Sequence, residues 1–75
     1  MHNLLQCVVG DRGKIVELET SDRKILGKLM SLGIIPGTSV TLLRRSPGFL
    51  LQAGHTKVAL DRGLAMVIWL EVDDG

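Results

Sequence analysis

The chain has 75 residues, nine Lys or Arg against eight Asp or Glu, and a hydrophobic fraction of 45%. A domain of this length buries only about 60% of the surface its unfolded chain exposes, so one thin-cored domain over residues 1–75 is expected, and the apolar content excludes a disordered chain. A formal charge of +1 excludes a general pull on nucleic acid or anionic membrane, and one Phe with one Trp are too few rings for base stacking or a proline-peptide groove.

Residues 1–11 carry an apolar patch (Leu4, Leu5, Cys7, Val8, Val9) that stops at Gly10-Asp11. It reads as a segment covering one end of the core. The run lacks the basic start and long apolar stretch of a signal peptide, and no stretch reaches the ~20 apolar residues that cross a bilayer. A single cysteine, Cys7, has no internal disulfide partner. A cytoplasmic location without membrane insertion is the expectation.

"GKIVELE", residues 13–19, reads as the first strand, with Val16 and Leu18 on one face and Ile15 and Glu17 on the other. One helix is expected over about residues 21–32. Thr20 or Ser21 can cap it, with Asp22 in the first turn. Ile25, Leu26, Leu29 and Leu32 form its apolar stripe. Gly33 suits the left-handed residue that ends a helix, and Pro36 prevents continuation. Ile34 and Ile35 are expected to staple the helix end to the rest of the fold. Gly27 costs about 1 kcal/mol against alanine in a helix interior, and close approach of another backbone would explain it.

Beyond Pro36-Gly37 the period becomes two. "TSVTLLRRS", "FLLQA", "TKVAL" and "AMVIWLEV" read as four more strands, separated by the turn signals "SPG" and Gly54-His55 and by "DRG", which suits a single helical turn. Short strands with Gly-containing turns favour antiparallel neighbours, and a thin-cored sheet hides its edges best by curling. The expected fold is mostly β, a five-stranded SH3-like barrel with one inserted helix.

"GDRGKIVELE", "KLMSLGIIPGTSVTLLRRSP" and "GHTKVALDRGLAMVIWLEV" together resemble the FeoA family of ferrous iron transport accessory proteins. The resemblance spans essentially the whole chain and is densest at Leu-Gly-Ile-Ile-Pro-Gly. It implies an SH3-like barrel and a cytoplasmic, non-enzymatic protein. Its partner would be the membrane-embedded ferrous iron permease, reached through the cytoplasmic GTP-binding part. A similar barrel ends the metal-dependent repressors of the diphtheria-toxin-repressor type. This chain leaves no room for their DNA-binding domain, so no nucleic-acid partner is expected. The family carries no agreed catalytic residues or cofactor to transfer.

The residues themselves say little for catalysis. His2, His55 and Cys7 are the candidates for a nucleophile–base pair, and nothing orders them. The same three are the nitrogen and sulfur ligands available to a transition metal, and they are scattered in sequence. Cys7, in an apolar patch, reads by default as a buried inert thiol. Arg44 and Arg45, with Lys28 and Lys57, offer a positive surface that is either ordinary solvated charge or a docking face. Leu43, Leu50, Val67 and Trp69 fall in the opposite phase to the core residues. They form either a layer under the helix or an exposed patch for a partner or weak self-association, with Met30 off the helix stripe. Lys28, Met30, Arg44, Arg45 and Leu50 are therefore the candidate partner-binding residues.

Overall fold

A carboxylate and a glycine set the limits of the helix. The computed structural model describes residues 1–73. Asp22 is the N-cap of α1 (Arg23–Ser31): its carboxylate accepts from the amides of Lys24 at 2.8 Å and Ile25 at 3.4 Å. Thr20 stands behind it, its hydroxyl accepting from the Asp22 amide at 3.1 Å. The cap is thus Asp22 rather than Thr20 or Ser21, because it alone reaches two of the orphan amides of the first turn.

At the other end Gly33 has φ +84°. The Gly33 amide donates to Met30 O at 3.0 Å, and the Ile34 amide reaches back to Leu29 O at 2.9 Å. These are the two bonds of a Schellman motif, whose usual companion is an apolar contact between the residues at either end of the longer bond. Leu29 and Ile34 are both fully buried. Ile35 is 40% exposed, so only Ile34 of the expected pair fastens the helix. Within the helix stripe Leu29 is buried, Ile25 and Leu32 pack on the core margin, and Leu26 is half-buried outside it. Nothing approaches within 4 Å of a Cβ placed on Gly27, so close packing does not explain that glycine.

The rest of the fold is one antiparallel sheet. Its strands are β1 (His2–Asn3), β2 (Arg12–Leu18), β3 (Ser39–Arg44), β4 (Phe49–Ala53), β5 (Thr56–Leu60) and β6 (Ile68–Val72), in the order β1-β6-β2-β3-β4-β5. The expected SH3-like, mostly β architecture holds, with two differences. The N-terminal segment supplies a short sixth strand, and β1 and β5 are the two ends of the sheet rather than neighbours in a closed ring. Asn3 anchors the sixth strand. Its side chain accepts from the Leu5 amide at 3.0 Å, caps a 3-10 turn at Leu4–Gln6, and donates to Met66 O at 2.7 Å. That turn covers one end of the core with fully buried Leu4.

Two bulges reset the alternation. Ile15 pairs with Leu70 and Glu17 with Trp69, so Val16 is the extra residue. Ile15 is buried, Leu18 reaches the core three positions later, and Val16 is left exposed. The same happens at Leu43, between the pairs Leu42–Leu51 and Arg44–Leu50. A bulge adds a residue to one strand and moves the side chains beyond it to the other phase. "DRG" becomes the short helix α2 (Arg62–Ala65), where Asp61 accepts from the Leu64 amide at 2.8 Å. Met66 and Val67 lie in the following turn, so the last strand starts at Ile68 rather than at Ala65.

Candidate interaction surface

The groups that could do chemistry are kept apart. His2 lies exposed in β1, His55 lies exposed in the β4–β5 turn, and Cys7 is buried behind the 3-10 turn with its thiol donating to Asn3 O at 3.6 Å. Burial pushes the Cys7 thiol above its ordinary 9.0, the Asp11 carboxylate adds to that, and Arg45 opposes it. No three His, Cys, Asp or Glu among the described residues converge as ligands would.

Arg45 has a task that sequence order conceals. Its guanidinium donates to the carbonyl of Cys7 and, at 3.0 Å, to that of Leu5. It also lies over the Phe49 ring, 5.8 Å from the centroid. Two donated hydrogen bonds from one planar group, itself seated on Phe49, tie the N-terminal segment to the β3–β4 hairpin. Arg45 is therefore engaged within the fold, unlike its neighbour Arg44.

The register gathers other candidates on the outer face of the sheet. Arg12, Thr41, Gln52 and Lys57 are successive cross-strand partners from β2 to β5. The neighbouring row holds Arg44, Leu50 and Ala59. Arg44 and half-buried Leu50 are thus side by side, while Lys28 and Met30 sit exposed on α1. Sequence reasoning named Lys57 as a charge but missed its alignment with Arg12. Only strand pairing reveals that alignment.

Charge is segregated along the chain. Residues 23–60 hold six of the nine Lys and Arg and none of the eight Asp and Glu. Strands β3 to β5 consequently carry no carboxylate. On the β6 side, carboxylates do occur: Lys14 has Glu71 as its cross-strand partner, and the Glu71 carboxylate lies 4.0 Å from the N-terminal ammonium. The formal +1 of the whole chain hides this division.

The apolar surplus lands elsewhere than expected. Val67 is buried, and Leu43, Leu50 and Trp69 are each half-buried. Trp69 Nε1 is shielded from solvent with no partner among the described residues. The exposed large apolar side chains include Val8, Val9, Val16, Ile35, Met30 and Met66, of which Met30 alone is among the candidate contacts named from sequence.

A short antiparallel sheet curled around one core, with a capped helix between its second and third strands, is the SH3-like arrangement. The FeoA domain family model matches residues 2–72, and the chain belongs to the FeoA family. It is similar to the crystal structure of an iron uptake regulatory protein (FeoA), at 25% identity and TM-score 0.86, over 95% of this chain and 96% of that one. It shares its fold with Stenotrophomonas maltophilia FeoA in complex with zinc, at 22% identity and TM-score 0.75, over 95% and 91% of the two chains. A manganese-dependent transcriptional repressor in complex with manganese gives TM-score 0.88 at 23% identity, covering 95% of this chain and 36% of the repressor. No curated protein matches.

Proposed function

We propose that the protein is a non-enzymatic, cytoplasmic accessory of ferrous iron uptake, docking on the cytoplasmic GTP-binding part of the ferrous iron permease. The observation that carries this is the family match over residues 2–72, since membership brings an accessory role in ferrous iron transport. The S. maltophilia relative has been put forward as an activating factor for that transport, which supports the same direction. No helix among the described residues is long and apolar enough to cross a membrane. Arg44 and Leu50 on the sheet, with Lys28 and Met30 on α1, are the proposed contacts. Capture of the purified GTP-binding region by this chain, with and without nucleotide, is the test. Absence of binding at tens of micromolar removes the reading.

A second reading, a transition-metal sensor or carrier, is favoured by the zinc and manganese complexes among the similar structures. Among the described residues no three His, Cys, Asp or Glu converge, so a site shared between two molecules is easier to build than one within a single chain. Calorimetry with Zn(II) and Fe(II) decides it: affinity no better than millimolar ends that reading.

A further inference from the structure

We infer that the open edge of β5 is a docking strand for an extended, acidic segment of a partner protein; this rests on the docking reading above and gives it a place and a chemistry. Three observations carry it. The first is the hydrogen-bonding phase of the β4–β5 hairpin. Gly54, at φ +62°, and His55 form a two-residue turn closed by Ala53 and Thr56. Antiparallel pairs alternate between bonded and non-bonded, so Lys57 and Ala59 direct their N–H and C=O groups away from β4. No strand lies beyond β5 in the sheet, and no backbone partner for either residue is among those described.

The second observation is charge. β5 ends the carboxylate-free part of the sheet, and Lys57 ends the cross-strand row that runs back through Gln52 and Thr41 to Arg12. A strand added at this edge extends each row by one side chain. The residue beside Lys57 is then favoured if acidic.

The third is shape. Two positions along, exposed Ala59 leaves only a methyl in front of half-buried Leu50. That step accepts a large apolar side chain. The recognition pattern is therefore an acidic and an apolar residue two apart, with affinity from main-chain bonds and choice from the side chains.

Other occupants fit less well. A second copy paired along the same edge joins two carboxylate-free sheets and sets the Lys57 residues close across the seam, where like charges repel. A phosphate surface, lipid or nucleic acid, meets the charge but makes no use of an unpaired strand edge.

The test follows the amides of the 15N-labelled full chain during titration with a blocked peptide, Thr-Glu-Thr-Leu-Thr-Glu-Thr. The expected result is that the Lys57 and Ala59 amides shift and become protected from exchange, and that the peptide with Lys in place of Glu does nothing. Ala59→Pro removes one outward N–H at an edge position where proline is tolerated. It should weaken binding about tenfold, as should Lys57→Glu, which keeps the test decisive if the proline variant is poorly folded. No shift at millimolar peptide, or equal affinity for the variants, overturns the inference. So do equal shifts without protection on phosphatidylglycerol vesicles or duplex DNA, or a dimer of the free chain that Ala59→Pro abolishes. If the permease region binds but is indifferent to Ala59→Pro and Lys57→Glu, this inference falls and the docking reading stands. If the peptide binds as expected and the permease region does not, the edge stands and the permease is the wrong partner.

Discussion

Ile34 and Leu29 are joined twice, by a 2.9 Å backbone bond that spans the end of α1 and by burial of both side chains in the same core. The bond exists because Gly33 between them adopts φ +84°. The apolar Gly-Ile-Ile stretch is thereby explained at one isoleucine: Ile34 is the residue that every Schellman end presents to its own helix.

Gly33→Val is expected to cost about 1–2 kcal/mol, since nothing lies within 4 Å of its Cβ and the penalty is conformational. Gly33→Asn should cost markedly less, because asparagine visits this region more readily. Urea midpoints followed by the single tryptophan, Trp69, measure both. A Gly33→Val protein as stable as the wild type would contradict the placement.

Gly13 is constrained by space instead. A Cβ there would meet Glu71 O at 2.4 Å, backbone against backbone between β2 and β6. Gly13→Ala must spread the two strands, an overpacking change of about 1–3 kcal/mol. Thermal unfolding should show a drop despite the loss of glycine's own flexibility in the unfolded chain.

Gly27 gives the opposite sign. It is an exposed glycine inside α1 with open space around its Cβ. Gly27→Ala should stabilise the protein by about 1 kcal/mol, raising Tm by about 4–8 °C in a chain of this size. An unchanged Tm would mean that the helix end frays before the sheet unfolds.

Cys7 should make stability fall at alkaline pH. Its thiol is held above the ordinary 9.0, chiefly by burial. Between that value and the folded one, the unfolded chain gives up the proton while the folded chain keeps it. The contribution is complete below about pH 9 and is lost as pH rises toward the folded value. Chemical denaturation from pH 7 to 10 should show a decline that is shallower in Cys7→Ala. Parallel curves would show that the thiol titrates alike in both states.

Local rules made much of this structure readable from the chain. Gly33 with Pro36 marked the helix end, Gly54-His55 marked a hairpin, and Asp61-Arg62-Gly63 marked a helical turn. Each is a short-range signal with its cause in neighbouring residues. The bulges at Val16 and Leu43 were invisible, because each depends on the partner strand. They account for part of the apolar surplus that looked like a patch. Arg45 could not be assigned either, since its acceptors at Leu5 and Cys7 are nearly forty positions away. The alignment of Arg12 with Lys57 needed three strand registers in turn, so the candidate surface was legible as a composition but not as an arrangement.

The β1–β6 pair has a kinetic side. His2 and Leu70 are partners from opposite ends of the sequence, while β3, β4 and β5 are linked by short hairpins. Closing a longer loop costs more entropy, although the cost grows slowly with length. The smallest strand therefore carries the most distant pairing, with few bonds to recover its cost. Local hairpins can form first, and the N-terminal segment can settle afterwards, with Asn3 and Arg45 as its two fastenings. Opening would then begin at the first residues of the chain, where Asn3 and Arg45 are the fastenings that must release.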